Sequence, residues 1–109
     1  MREIKSRAWQ KSTYTMFHHA NIFYGGAIDA HNKGEIILMQ YTGLKDKNGV
    51  EIYEGDIIKN PLYDVNYVVE YYEDGFVGWG KDRRDGCYLI TDEDIEVIGN
   101  IHENPELIE

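Results

Sequence analysis

Three two-residue turn signals constrain this chain more than any other feature: Asn48-Gly49, Asp74-Gly75 and Asp85-Gly86. Such pairs favour tight hairpins, because both central positions of a type I′ turn need a positive φ that most side chains resist. Each pair stands between short runs rich in β-branched and aromatic residues. "VNYVVEYY" puts Val65, Tyr67, Val69 and Tyr71 on one face and Asn66 and Glu70 on the other. "FVGWG" answers it across Asp74-Gly75, and "GCYLI" follows Asp85-Gly86. "IEVIGNI" aligns Ile95, Val97 and Ile101, with Gly99 expected to bulge or bend the strand. "EIILMQY" reads as a buried strand from its short, unbroken apolar run.

The first third of the chain is less regular. Residues 3 to 10 alternate, with Ile4, Ser6 and Ala8 opposite Lys5, Arg7 and Trp9. "TYTMFHHANIFY" at 13 to 24 reads as strand, with a helical turn near Phe17 to Ala20 as the alternative, and "GGAIDAHNKGE" reads as loop. "DEDIE" can form one helical turn capped by Asp92. Pro105 ends the last strand and leaves "ENPELIE" as a tail whose Leu107 and Ile108 can dock. Short strands broken by turns roughly every eight to twelve residues predict an all-β fold, a sandwich or small barrel, in a single domain over residues 1–109.

Composition narrows the class. The 109 residues are 42% hydrophobic and 13% aromatic, enough for one core. Cys87 is the only cysteine, which excludes an internal disulfide and an all-cysteine zinc site and fits a reducing compartment. "MREIKSRAWQ" lacks an apolar signal region, and "IILM" at 36 to 39 is far too short to cross a bilayer. A soluble, cytoplasmic protein without membrane contact is the expectation. The net charge of −9 is split unevenly. Residues 1 to 59 hold eight Lys/Arg and seven Asp/Glu, a charge of +1, whereas residues 60 to 109 hold three and thirteen, a charge of −10. An acidic surface repels phosphate backbones and argues against nucleic acid as a partner.

The densest stretch is "YTGLKDKNGVEIYEGDIIKN" at 41 to 60. As a calcium loop with Gly49 sixth, it would need ligands at Leu44 and Gly55, which have none to offer. It has no glycine, lysine and serine/threonine run for a phosphate loop. Glu51, Glu54 and Asp56 can be drawn as an acid–base pair, but solvated turn residues are the more frequent outcome. Two corners explain the stretch better: Asn48-Gly49 at a hairpin tip, and Gly55 supplying an unusual φ beside Asp56, whose carboxylate accepts a backbone N–H.

"LMQYTGLKDKNGVEIYEGDIIK" at 38 to 59, with "REIKSRAW" at 2 to 9 and "IEVIGNIHENPELIE" at 95 to 109, resembles the YopX family of phage and prophage proteins. The resemblance implies a YopX-like β-fold with an SH3-type small barrel, an N-terminal β extension and a phage or prophage origin. It implies no reaction and no catalytic residues. Ser6 stands where the family usually carries an aromatic residue, and the segment from 12 to 35 is shorter than in many relatives.

Other chemistry is sparse. His18 and His19 are adjacent, so on a strand they face opposite ways; with Asp29 and His31 they make a poor metal set. Asp92, Asp94 and Glu96 lie two apart and on a strand would share an acidic face, a weak cation or binding surface. Lys5, Arg7, Trp9 and Lys11 interleave cations with an aromatic ring, as single-strand nucleic-acid surfaces do; the plainer reading is an exposed face that complements negative charge in the protein itself or in a neighbouring copy. Cys87 reads as a core thiol. Trp79, between two glycines, is a candidate contact residue, as is Trp9. No catalytic residue, metal ligand or cofactor is assigned. The leading expectation is a non-enzymatic interaction module binding itself, as a homo-oligomer, or a host protein. The alternatives are an acidic mimic of DNA that inhibits a host nucleic-acid enzyme, and a nucleic-acid-binding small barrel.

Overall fold

The computed structural model describes residues 6–20, 34–60, 65–72, 75–80, 88–89 and 94–108. The strands are β1 (Ser6–Gln10), β2 (Thr15–Ala20), β3 (Ile36–Lys45), β4 (Glu51–Tyr53), β5 (Asp56–Lys59), β6 (Asn66–Tyr72), β7 (Gly75–Trp79), β8 (Tyr88–Leu89) and β9 (Glu96–Asn100), followed by a 3₁₀ turn at Pro105–Ile108. The protein is all-β, as the turn spacing requires. The strands form two antiparallel sheets, one ordered β2-β1-β3-β4 and one ordered β8-β7-β6-β5-β9. One of the two sheets curls into a half-barrel, consistent with a small barrel.

The alternation in "VNYVVEYY" survives in three dimensions. Tyr67 and Val69 are buried together with Ile52, Ile58, Phe76 and Ile95, and Val65 and Val97 pack against this cluster. Each fully buried aliphatic or aromatic side chain of this kind contributes about 1.5–3 kcal/mol. Asn66, on the opposite face, donates from Nδ2 to the Leu107 carbonyl at 2.7 Å, which docks the C-terminal turn. β9 bulges near the expected glycine: Ile57 pairs with Gly99 and Ile58 with Val97, leaving Ile98 unpaired in the ladder.

Two local expectations need correcting. The tip at Asn48-Gly49 is not a type I′ turn, since Gly49 has φ 81° but Asn48 is not among the positive-φ residues. Asp46 N–H donates to the Val50 carbonyl and Gly49 N–H to the Asp46 carbonyl, so the loop has three residues, with glycine in its left-handed position. Gly75, expected in a turn, is the first residue of β7 and pairs with Tyr72. Residues 15–20 form a strand, as the composition of that segment leads one to expect. Asp85-Gly86, Cys87, Lys5, Asp29, His31 and Asp92 lie outside the described residues.

Candidate functional site

The chain passes from the first sheet to the second at Glu54-Gly55, between β4 and β5. Gly55 has φ 84°, and a Cβ placed there would meet Met39 Sδ at 3.1 Å. Its N–H donates to the Val69 carbonyl, and its carbonyl accepts the Ile101 N–H, each at 2.9 Å. The crossover is thereby pinned to β6 and to the end of β9. Asp56 closes the corner as expected, with Oδ2 accepting the Tyr53 N–H at 2.8 Å.

Asp56 nevertheless departs from the solvated turn residue expected of it. It is 1% exposed, and Oδ1 receives Arg7 Nη2 at 2.5 Å. Arg7 in turn is 6% exposed, which corrects the expected exposed basic face. Its guanidinium lies 4.8 Å from the Tyr53 ring centre, and Nη2 reaches the Glu54 carbonyl at 3.4 Å. The pair joins β1 of one sheet to the first residue of β5 in the other. Burial pushes the Asp56 carboxyl above its ordinary range, against the pull of Arg7 and the Tyr53 N–H. Both oxygens of Asp56 are engaged, so this carboxylate reads as a fastening and not as a free base. Glu54 is also committed: Oε1 accepts the Gln40 N–H at 2.8 Å. The cationic alternation seen in sequence thus resolves into an internal ion pair, the self-complementing charge of the plainer reading.

Beside the joint stands a short aromatic ladder. Trp9 is buried, with its ring stacked on His102 at 5.4 Å. Tyr14 meets Trp9 edge-on at 6.2 Å. Burial holds the His102 imidazole below its ordinary pKa, aided by the charges of Arg7 and Lys11 and opposed by Glu103. His102 Nε2 and Arg7 Nε are buried without hydrogen-bond partners among the described residues. Tyr14 is 81% exposed and has φ 51°, in the left-handed region that disfavours an aromatic residue. It ends the four-residue loop joining β1 and β2. Phe17, 49% exposed, lies opposite Ala8 and therefore on the hairpin face away from Trp9. Nothing in the local sequence marks Tyr14, because its loop carries no glycine at the left-handed position.

The remaining candidates do not converge. Trp79 is half-buried on β7, opposite Val68. Asp94 is exposed in a turn before β9, so it does not continue the strand face of Glu96. Glu96 faces Lys47 at 3.6 Å. His18 and His19 are consecutive residues of β2. Among the described residues, no three His, Cys, Asp or Glu side chains gather where they could hold a metal ion, and no helix is long and apolar enough to cross a membrane. Of the thirteen acids in the second half, only Glu70, Asp94, Glu96, Glu103 and Glu106 are on described residues.

The motif blocks that carry the resemblance fall on this joint: the central block supplies β3, the Asp46 tip and the Gly55-Asp56 corner, and the last supplies β9 and the C-terminal turn. The family model described as "YopX protein" matches residues 20–109. The chain belongs to the YopX family. That match begins at the end of β2, so the Arg7 and Trp9 contacts come from outside the range shared with the family model. The protein also resembles a solved structure, the crystal structure of protein EF1440 from Enterococcus faecalis. The two share 26% identity at a TM-score of 0.75, with all of each chain covered. That likeness extends over β1 as well, so this YopX protein's first sheet has a counterpart in a second structure. No curated protein matches the chain.

Proposed function

We propose that this YopX protein is a non-enzymatic interaction module that engages another protein chain through the β1–β2 hairpin. The observation that carries the reading is Tyr14. A ring that could be buried or replaced by glycine is instead held out in solvent, on a left-handed backbone, with its edge propped on a buried tryptophan. A rigid aromatic side chain on a fixed stem loses little entropy on binding, which is why such residues anchor interfaces. Phe17 adds a second aromatic group on the reverse face of the same hairpin. The setting proposed is the cytoplasm of a bacterial cell carrying a phage or prophage. The acidic-mimic reading gains nothing from Glu96, which is neutralised by Lys47.

Site-specific photocrosslinking tests the proposal. A benzophenone side chain at position 14 or 17 should give discrete protein adducts in cells, and one at exposed Val50 should give far fewer. Equal, diffuse labelling from all three positions would remove the hairpin as an interaction surface.

A further inference from the structure

We infer that the hairpin's partner is a second copy of this chain, docked about a two-fold axis over the Tyr14–Trp9–His102 ladder. This rests on the reading of the hairpin as an interaction surface and adds the identity of the occupant. A two-fold interface uses the same patch on both protomers, so the patch must complement itself. Here one aromatic ladder carries a cation and an acid on the same patch. Lys11 opens the hairpin loop and is exposed. Glu103 follows His102 in the turn after β9 and is also exposed. Lys11 is two residues from Trp9 and Glu103 is next to His102, and these two rings are stacked at 5.4 Å, which places the opposite charges at one patch. Turning the patch onto itself brings Lys11 toward the partner's Glu103, twice, while the Tyr14 rings pack between them.

The same pattern disfavours other occupants. Described residues 6–20 contain Arg7 and Lys11 and no acid, yet Arg7 is spent internally on Asp56. Lys11 beside Glu103, on a chain of charge −9, is too little for a phosphate backbone. An acidic protein surface would meet Glu103 and be repelled, whereas a patch of mixed sign fits its own image.

Sedimentation velocity on the full chain at increasing concentration tests the dimer, with thermal melts confirming that each variant folds. The wild-type chain should dimerise, more weakly at 1 M salt. Tyr14→Ser should weaken dimerisation at least tenfold. Lys11→Glu and Glu103→Lys should each weaken it about tenfold, and the double swap should return it to within about threefold of wild type, because each reversed charge again meets its opposite across the axis. A dimer unaffected by any of these changes would overturn the inference, as would single swaps that the double swap does not rescue. A wild-type chain that stays monomeric while position 14 still crosslinks to a different protein would sink the self-pairing and leave the interaction reading standing. Monomeric behaviour with no specific crosslink would sink both.

Discussion

Arg7 and Asp56 depend on each other, and at the residue scale that dependence is the sharpest thing to test. Removing one member of a buried ion pair leaves the other charged and unsolvated, at a cost of about 3–5 kcal/mol. Arg7→Met should therefore destabilise the protein by roughly that amount at pH 7, measured by urea denaturation. Arg7→Met with Asp56→Asn should recover much of the loss, since the amide is neutral and its oxygen still accepts the Tyr53 N–H. The sign of the pH dependence follows. Without Arg7 the Asp56 pKa lies further above its ordinary 3.8, so the folded state takes up a proton before the unfolded state does. The penalty of Arg7→Met should shrink as pH falls from 7 toward 4; a constant penalty would mean that Asp56 is not the group left stranded. Gly55 makes a second residue-scale case. Gly55→Ala and Gly49→Ala both force a Cβ onto a backbone with φ above 80°, which costs about 1–2 kcal/mol. Only position 55 also meets another side chain, Met39 Sδ at 3.1 Å, whereas position 49 is open. Denaturation midpoints should rank Gly55→Ala clearly below Gly49→Ala.

At the scale of elements, the β3–β4 tip is held by one carboxylate. Asp46 Oδ1 accepts the N–H groups of Asn48 and Val50, and Oδ2 accepts the Val97 N–H at 3.0 Å. A single side chain thus shapes the loop and ties it to β9, and the Lys47 N–H adds a bond to the Ile95 carbonyl. Burial pushes the Asp46 carboxyl up, but the three N–H donors and Lys47 outweigh it and hold it below 3.8. Its stabilisation is therefore complete above that value and is lost as pH falls through the lower folded value. Asp46→Ala should cost about 2–3 kcal/mol at pH 7 and flatten the acid limb of the stability curve below pH 4. A variant as acid-sensitive as the parent would show that other carboxylates dominate there. The turn signals located this tip in the sequence to within a residue. The tie from Asp46 to Val97 was hidden, because a 51-residue separation leaves no local pattern. The β1–β2 hairpin was harder still: "TYTMFHHANIFY" has strand composition but no glycine at the αL position to mark its loop.

For the whole molecule, the contacts between the two sheets include Ile52 in the core cluster, Arg7 on Asp56, Trp9 on His102, and Met39 against Gly55. His102 makes this junction sensitive to mild acid. A histidine whose folded pKa lies below its ordinary 6.5 costs nothing while neutral. It withdraws stability as pH falls from 6.5 toward the folded value, because only the unfolded chain then takes up the proton. Thermal melts should show a midpoint that falls as the pH drops below about 6.5, and His102→Phe, which keeps a ring on Trp9, should abolish that decline. An unchanged slope in the variant would place the sensitivity elsewhere. The sequence by itself determined the strands, the corners and the all-β class, since alternation and turn chemistry act between residues that are neighbours along the chain. Only the tertiary structure decided that Asp56 is a buried anchor and not a solvated acid, that Arg7 faces inward, and that Tyr14 stands outside. Those outcomes depend on which distant groups share a region of low dielectric, a property of the packed molecule with no counterpart in local sequence.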